Sequence, residues 1–420
     1  MKRRNRFAVM TVGVALAIGL VGIAGNAIAS ASSSPVKLTG KLHGVTLNLM
    51  YGSSGPAETA AINQASKAWA AQSGNKVIVT NASNLTEQLD EAFAGGTPPD
   101  VFYLSSSALQ TFAKQGELLP YASLVAPASD FYPSLVKAYT YNKTWYCVPK
   151  DFSNLAVEIN TTMWKAAGLT NADLPTTWAK LQADAKKLTT KTVTGLAVGD
   201  SLDRLGAFFA ENGGSYMNKA GTGFAFNSPQ NIKALEWVQS MAKQGILKFP
   251  EQLSSGWAGE AFGLGKAAMS TEGNWIIGAM KSSYPKIQWE AVPMPAGPTG
   301  VNGTLTFTNC WGIPSASKSS AAAVSFVKYL ASTAQQLRFA NAFGVLPSRI
   351  AAANTYAKDN PSVAAFVEGA KYAMPQVATV GFPTVQSAFD SQVLGLATGS
   401  SNPVQMLNEL QTNAQALLRP

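Results

Sequence analysis

One tryptophan stands out because of the residues around it. Trp275 lies in the stretch AAMSTEGNWIIGAM, after a run of small residues and a Gly-Asn pair and before two isoleucines. An indole in such a place either fills a core or presents an apolar face on which a ligand ring can stack. The pattern predicts a short strand, a turn that contains glycine and the start of a helix, and it leaves both uses of the indole open.

Residues that could carry catalysis are few. His43 is the single histidine, so a Ser-His-Asp or Cys-His centre would have to be built around that one position. Metal-ligand spacing is absent, and we predict neither a metal site nor a cofactor. A pair of catalytic carboxylates is the remaining enzymatic alternative. The acids in suggestive places are Asp100, Asp151, Glu272 and Glu290.

The elements that must position these residues alternate between strands and helices. The strand GVTLNLMYG, the helix ETAAINQASKAWAAQSG and the strand NKVIVTNA form a βαβ unit, and LTEQLDEAFAGG and TPPDVFYLSSS continue the pattern. We therefore predict an α/β fold with a largely parallel sheet. Ligands of open α/β sheets bind outside the carboxyl ends of strands, so the loops at residues 51–54 and 105–107 are expected on the same rim. Capping of the next helix is the alternative for Ser106 and Ser107.

The N-terminal segment has the pattern of a secretory signal. A basic start and a long apolar run are followed by small residues that end in Ala27-Ile28-Ala29, which predicts a signal peptide over residues 1–29 and cleavage after Ala29. Residues 30–37 are predicted to form a Ser-rich tether. The protein is thus expected to be exported to the periplasm or the extracellular space, and an uncleaved membrane anchor is the alternative.

Composition and charge narrow the class of protein. A chain of 420 residues, 46% hydrophobic and only 13% charged, has enough material for two or three packed domains. The formal net charge is +9, and part of it comes from basic residues inside the predicted signal peptide. The other basic residues are scattered, so we predict no nucleic-acid partner.

The order of motifs along the chain resembles a known family. The motifs are AGGTPPDVFYL, VPKDFSNLAVEIN, KAAGLTNADLPTTWAKL, ENGGSYM, GKAAMSTEGNWIIGAM, PMPAGPTG, NCWGIPSASKSSAAAVSFVKYLAS and FGVLPSR. Together they resemble the family 1 extracellular solute-binding proteins of ABC importers, the maltose-binding-like group. The resemblance extends from about Lys41 to the C-terminus.

This resemblance implies two discontinuous α/β lobes joined by a hinge, with a ligand cleft between them, as in type II periplasmic binding proteins. The first lobe would comprise residues 38–151 and 312–347, and the second residues 152–309 and 351–420. The chain would cross between lobes near residues 149–155, 309–312 and 345–350.

The two cysteines, Cys147 and Cys310, have two interpretations in an exported protein: buried thiols or a disulfide. In the family that this chain resembles, the first two crossing strands run side by side. The cysteines would then lie at matching ends of these strands, which implies a disulfide beside the hinge, with two buried thiols as the alternative.

The resemblance also assigns ligand-binding residues. The maltose-binding group commonly carries, at the position of Trp275, a tryptophan that lies against a sugar ring, which favours the ligand platform over the core. The further residues that it implies are Asn274, Tyr51, Ser53, Ser54, Ser105, Ser107, Asp151, Ser153, Asp203, Arg204, Trp311 and Phe382. A salt bridge with a nearby lysine is the alternative for Asp151. The first loop, MYGSSGP, departs from the family because it lacks the bulky aromatic or charged residues of many sugar binders.

The resulting prediction is a monomeric, non-enzymatic protein that captures a mono- or oligosaccharide and delivers it to an ABC transporter permease in the membrane. Two alternatives stay open at this point. One is an exported carbohydrate-active enzyme that uses paired carboxylates, and the other is an attachment protein tethered by an uncleaved N-terminus.

Overall fold

The structure, a computed structural model, describes residues 36–220, 222–377, 379 and 381–418. The predicted signal peptide and all of the predicted tether except its last two residues lie outside the described residues. Among the described residues, no helix combines the length and the apolar composition that spanning a membrane requires.

Strands and helices alternate along the chain, and the α/β prediction is confirmed. The strands are β1 (Thr46–Tyr51), β2 (Lys76–Asn81), β3 (Val101–Ser105), β4 (Thr140–Tyr141), β5 (Thr144–Trp145), β6 (Pro149–Asn160), β7 (Thr194–Val198), β8 (Leu247–Lys248), β9 (Ala267–Gly273), β10 (Trp289–Val292), β11 (Leu305–Gly312), β12 (Leu346–Pro347) and β13 (Met374–Pro375).

The helices up to the middle of the chain are α1 (Pro56–Ser73), α2 (Leu85–Ala94), α3 (Leu109–Lys114), α4 (Ala122–Val125), α5 (Pro133–Ala138), α6 (Thr161–Ala166), α7 (Trp178–Leu188), α8 (Leu202–Glu211) and α9 (Pro229–Lys243). The later helices are α10 (Ala258–Gly263), α11 (Ile276–Ser283), α12 (Ser320–Leu330), α13 (Thr333–Phe343), α14 (Ile350–Asp359), α15 (Ala364–Gly369), α16 (Phe382–Asp390), α17 (Gly395–Thr398) and α18 (Pro403–Ala416).

Local chemistry explains where several helices begin and end. Asn84 and Ser228 accept hydrogen bonds from backbone N–H groups in the first turns of α2 and α9, as N-caps do. Helix α9 also begins with Pro229, whose missing N–H costs nothing at that position. Helix α1 ends where Gly74 takes the left-handed conformation, with φ of 68°.

The strands form a mixed sheet with the order β2-β1-β3-β11-β6-β9-β7-β8. Pairing is parallel at both ends of this sheet, among β2, β1 and β3 and among β9, β7 and β8. In the middle, β11 and β6 pair antiparallel with their neighbours and with each other. The prediction of a largely parallel sheet is thus correct at the two ends and wrong in the middle, where the long strands that connect the two ends pair with each other.

Separate hydrophobic cores cover the two ends of the sheet. The first core draws on β1, β3, α1 and α12, and includes Trp69, Phe102 and Phe326. The second core draws on β7, α8, α9 and α18, and includes Phe208 and Leu410. A third, smaller core packs around Phe152 of β6 and Phe366 of α15. Each end of the sheet therefore has an interior of its own, which is what two lobes require.

Candidate functional site

The segments predicted to cross between lobes lie side by side. Asp151 of β6 pairs with Asn309 of β11 on one side and with Pro347 of β12 on the other. Asn309 in turn pairs with Ser105, at the carboxyl end of β3. Asp151 and Ser153 are two positions apart in β6, so their side chains share one face of the sheet. The junction of these strands therefore forms the floor from which the predicted cleft rises.

We call the predicted ligand residues Tyr51, Ser53, Ser54 and Asp151 the first rim. Tyr51 is fully buried, and its ring packs edge-on against Tyr103 with a centroid distance of 5.4 Å. Ser53 Oγ donates to the Gly55 carbonyl at 2.7 Å. No solvent reaches this ring in the structure, and the assignment of Tyr51 as a ligand contact stays a prediction.

A buried carboxylate holds the loop of the first rim. Glu58 Oε2 accepts hydrogen bonds from the backbone N–H and the hydroxyl of Ser54, at 2.8 and 2.7 Å. Glu58 Oε1 accepts from Tyr103 at 2.9 Å and forms an ion pair with Lys150 Nζ at 2.9 Å. The hydroxyl of Ser54 is therefore bonded inside the protein, and its assignment as a ligand contact stays a prediction.

Asp151 takes part in the same charge cluster. Lys150 Nζ bridges the Asp151 and Glu58 carboxylates, and all three residues are buried. Burial raises the pKa of Asp151 to about 6, and the Glu58 charge adds to this rise while Lys150 opposes it. For Glu58, burial acts in the same direction, but Lys150 and the Ser54 bonds outweigh it and lower the pKa. The salt bridge, the alternative for Asp151, is thus the arrangement that the structure contains.

Trp311 lies in the first core. Its side chain is fully buried, and its ring packs against Tyr103 with a centroid distance of 5.1 Å. The register of β11 against β3 places Trp311 directly opposite Tyr103. A position next to the second crossing does not decide which face of the strand a side chain takes, and the assignment of Trp311 as a ligand contact stays a prediction.

The two cysteines meet beneath this junction. Cys147 and Cys310 form a disulfide with a Cα–Cα distance of 5.8 Å, and both side chains are buried in the first core. The bond closes a sequence separation of 163 residues. It ties the segment that leads into β6 to the strand β11.

We call Asp203, Arg204 and Trp275 the second rim. Trp275 follows β9 at the first turn of α11, and its side chain is 36% exposed. Its indole Nε1 donates to Glu272 Oε2 at 3.0 Å. The Arg204 guanidinium carbon lies 4.8 Å from the centre of the Trp275 ring, in a cation–π contact. The tryptophan is thus held at the edge of the protein and is not absorbed into a core.

Glu272 links the residues of the second rim. Its Oε2 also accepts from Arg204 Nε at 3.1 Å, and its side chain is 1% exposed. Burial raises the pKa of Glu272, while the Arg204 charge and the Trp275 N–H act against this rise. Phe307 of β11 completes the group with an edge contact to Trp275, at a centroid distance of 5.6 Å.

Asn274 and Ser153 differ in their access to the cleft. Asn274 is buried, and its Nδ2 donates to the Gly344 carbonyl at 3.0 Å, so its assignment as a ligand contact stays a prediction. Ser153 is half-buried and pairs across the sheet with Phe307. The floor of the site therefore leads from Asp151 through Ser153 and Phe307 toward Trp275.

A cavity of about 290 Å³ brings residues of the two predicted lobes together. Ser107 contributes from the first predicted lobe, and Asp203, Gln376 and Phe382 contribute from the second. Asp203 Oδ1 accepts from Gln376 Nε2 at 3.2 Å, and Ser107 Oγ lies 2.8 Å from Ser105 Oγ. Polar groups thus face an aromatic wall, the arrangement typical of small-molecule sites.

Phe382 belongs both to the second core and to the wall of the cavity. It stacks on Phe226 in the second core at a centroid distance of 5.6 Å, and it also lines the cavity. It is 4% exposed, so it supplies a wall to the cavity and not an open platform.

Sequence reasoning missed the residues that organise the second rim. Glu272 entered it only as a candidate catalytic acid, and Phe307 and Gln376 were not considered. A signal existed for Glu272, because an acid three residues before a tryptophan, at the end of a strand, can turn back to the indole N–H. Gln376 approaches Asp203 from 173 residues away, and no local pattern indicates such a contact. In the part of the chain that the structure describes, no cluster of His, Cys, Asp or Glu could hold a metal ion.

Two α/β halves around a cavity, joined by strands that run between them, define a two-lobe binding protein of the type II periplasmic class. The sugar-binding protein MalE of Xanthomonas citri has a similar fold, with a TM-score of 0.78 at 19% identity over 89% of this chain and 97% of that chain. At this level of identity, the likeness establishes the fold.

The family follows from the sequence. The model of the bacterial extracellular solute-binding protein family matches residues 64–365, and the chain belongs to this family. A binding protein of Brucella abortus is 23% identical over 350 residues, which are 80% of this chain and 83% of that protein. The diacetylchitobiose binding protein DasA of Streptomyces coelicolor is 24% identical over 293 residues, 65% of this chain and 66% of that protein.

Membership decides between the function classes. The protein is an exported solute-binding protein and not an enzyme, so the alternative of paired catalytic carboxylates falls away. In the structure, two of the acids considered for that role are paired with cationic side chains. Asp151 pairs with Lys150, and Glu272 pairs with Arg204.

Proposed function

We propose that this protein captures a mono- or oligosaccharide in the cavity between its lobes and delivers it to the permease of an ABC importer. The observation that carries this proposal is Trp275, a residue that is 36% exposed and whose indole contacts Arg204, the sequence neighbour of the cavity residue Asp203. The C–H face of a pyranose is apolar and can lie on an indole, while its hydroxyls bond to carboxylates, amides and serines at the edge.

The relatives support the same class of ligand. DasA is named for binding diacetylchitobiose, and the Xanthomonas citri protein of similar fold is named as a sugar-binding protein. Diacetylchitobiose is a neutral carbohydrate with several hydroxyl groups. A neutral ligand also agrees with the second rim, where the charge of Arg204 is balanced by Glu272.

The ligand contacts that we propose lie mainly on the second rim. Trp275 would stack on a sugar ring, and Asp203 and Gln376 would bind hydroxyls. Ser105, Ser107 and Ser153 would complete the site from the opposite side and from the floor, and Phe382 would form a wall. Ser53, which is half-buried, stays a predicted contact.

Capture would be coupled to a hinge motion. The lobes would comprise residues 38–151 with 312–347 and residues 152–309 with 351–420, and they would close on the ligand by bending where β6, β11 and β12 cross. Binding energy would then favour the closed form, whose outer face the permease recognises.

We further propose that the exported protein is released after Ala29 and works as a monomer in the periplasm or the extracellular space. Mass spectrometry of the protein recovered from the producing cell measures the N-terminus directly. A chain that begins at Ser30 supports release, whereas a chain that retains residues 7–25 supports an uncleaved anchor. Size-exclusion chromatography with light scattering tests the monomer.

A thermal-shift screen tests the proposed function. The protein from residue 30 onward is melted with maltose, maltotetraose, N,N′-diacetylchitobiose, polyols and glycerol phosphodiesters. A ligand that binds only the folded form at 100 times its dissociation constant stabilises it by about 2.7 kcal/mol, which raises the melting temperature clearly. A saturable shift, with the sugar recovered intact, supports the proposal. A shift with phosphodiesters alone, or no shift with any sugar, contradicts it.

A further inference from the structure

Glu272 is a carboxylate that the structure buries beside the second rim. It lies one residue before the end of β9, opposite Ala156 of β6, and its side chain is 1% exposed. A buried carboxylate requires partners, because its transfer from water is costly unless it is paired and hydrogen-bonded. The partners of Glu272 are both residues of the second rim.

One oxygen of Glu272 binds both of these partners. Oε2 accepts from Trp275 Nε1 at 3.0 Å and from Arg204 Nε at 3.1 Å. Bonds to an ionised acceptor are stronger than bonds between neutral groups, and two donors on one oxygen fix the two side chains relative to each other. The indole and the guanidinium therefore behave as one unit.

The surroundings leave the indole little freedom. A Cβ atom at Gly273 would lie 2.2 Å from Cζ3 of Trp275, so the ring rests directly on the glycine backbone. The Arg204 guanidinium carbon lies 4.8 Å from the ring centre, and Phe307 meets the ring at an angle of 73°. Rotation of the ring would break the Glu272 bond and the arginine contact together.

We propose that Glu272 is a positioning residue of the binding site: it fixes Trp275 and Arg204 in the orientation that receives the ligand, without touching the ligand itself. The inference rests on the proposed role of Trp275 as the ligand platform. A platform that is held before the ligand arrives loses less conformational entropy on binding, and this gain disappears when the holding bond is removed.

The substitution Glu272→Gln tests this inference, because it keeps the size and one acceptor oxygen but removes the charge. The matched control is Glu211→Gln. Glu211 is also a buried glutamate of the second half, and it accepts a hydrogen bond from a different indole, Nε1 of Trp178, which lies outside the second rim. Comparing the melting temperatures of the two variants corrects for the general effect of replacing a buried acid.

The first readout needs no ligand. The indole N–H resonances of 15N-labelled protein are recorded, and the Trp275 resonance is assigned from its loss in Trp275→Phe. We expect Glu272→Gln to shift or broaden this resonance more than any other indole signal, and Glu211→Gln to leave it in place. An unchanged Trp275 resonance in Glu272→Gln overturns the inference.

The second readout is affinity for maltotetraose and N,N′-diacetylchitobiose, measured by titration calorimetry. We expect Glu272→Gln to weaken binding about tenfold, as the loss of a charged hydrogen bond does, and Glu211→Gln to weaken it less than about twofold. Equal affinities of Glu272→Gln and wild type overturn the inference. If neither sugar binds wild type, the carbohydrate proposal fails, and the indole resonance still decides the role of Glu272.

Discussion

The two rims of the site use similar residue types in opposite ways. On the first rim, Tyr51 is buried, the hydroxyl of Ser54 is bound to Glu58, and Asp151 is paired with Lys150. On the second rim, Trp275 is 36% exposed, and Asp203 lines a cavity. On the first rim, Ser54 and Asp151 already have partners inside the protein, whereas the second rim leaves an aromatic ring and polar atoms accessible.

This difference has a functional meaning. Groups that already have partners contribute to stability and to the position of the loop, and groups that remain accessible can bind a solute. We therefore expect substitutions on the first rim to change the free energy of unfolding and substitutions on the second rim to change ligand affinity.

The largest effect is expected for Lys150→Met. It leaves the Glu58 and Asp151 carboxylates buried without a cation, and breaking a buried pair in this way costs about 3–5 kcal/mol. Urea unfolding of the variant and of wild type measures the loss. The matched control is Lys371→Met, which breaks the exposed pair with Glu368 and should cost less than about 1 kcal/mol. Equal losses in the two variants would contradict the role of the buried cluster.

Removal of the disulfide should have the next largest effect. Cys147→Ala combined with Cys310→Ala opens a covalent loop with a sequence separation of 163 residues, and we expect a loss of about 2–4 kcal/mol in the free energy of unfolding. Thiol titration of denatured, unreduced wild-type protein is the direct check. It should find no free thiol, and titration of two thiols would contradict the bond.

Trp275→Ala tests the second rim. We expect it to weaken binding of the sugar identified in the thermal-shift screen by about 2 kcal/mol, which is about thirtyfold, because a stacked aromatic contact is lost. Titration calorimetry measures this change. The control is Trp145→Ala, which removes a tryptophan that packs on Phe131 in the first half and should lower the melting temperature without changing affinity. If Trp145→Ala weakened binding and Trp275→Ala did not, ligand binding could not be assigned to the second rim.

The smallest expected effect is a pH dependence of the free energy of unfolding, and it comes from Asp390, which lies behind the second rim. Burial raises the pKa of Asp390 to about 6. The hydrogen bond that Asp390 Oδ1 accepts from the Leu202 N–H at 2.6 Å acts in the opposite direction and lowers the pKa. In the unfolded chain the carboxyl titrates near pH 4, so the folded state holds the proton more tightly between about pH 4 and 6. The contribution of Asp390 to stability therefore falls as pH rises through this window and is constant above it.

Asp390→Asn should remove this contribution. The melting temperature of the variant minus that of wild type is expected to increase between about pH 4 and 6 and to level off at higher pH. A difference that stays constant from pH 4 to 8 would show that Asp390 does not titrate in this range.

Sequence reasoning succeeded where the pattern is local. The strand, turn and helix around Trp275 are present as β9 and α11, and the helix after Tyr51 is present as α1. The resemblance gave the type II architecture, since order and spacing of motifs reflect the whole fold. Burial of individual side chains was harder to predict, because Trp311 and Tyr51 take their faces from strand register and not from their position in the chain.

Contacts between distant segments set the limit of the prediction. Lys150 neutralises Glu58 across 92 residues of chain, and Gln376 reaches Asp203 across 173. No periodicity or spacing indicates which lysine meets which acid. The prediction therefore placed Asp151 in the ligand set and left out Glu272, although both acids are buried partners of a cation in the structure.

The most direct test of the proposed sugar site is a crystal structure of the protein from residue 30 onward with the sugar identified in the screen. We expect one sugar molecule in the cavity lined by Ser107 and Asp203, with a pyranose ring against Trp275 and hydroxyls on the polar groups of the second rim. A sugar bound away from Trp275, or held mainly by Tyr51 and Ser54 of the first rim, would contradict it.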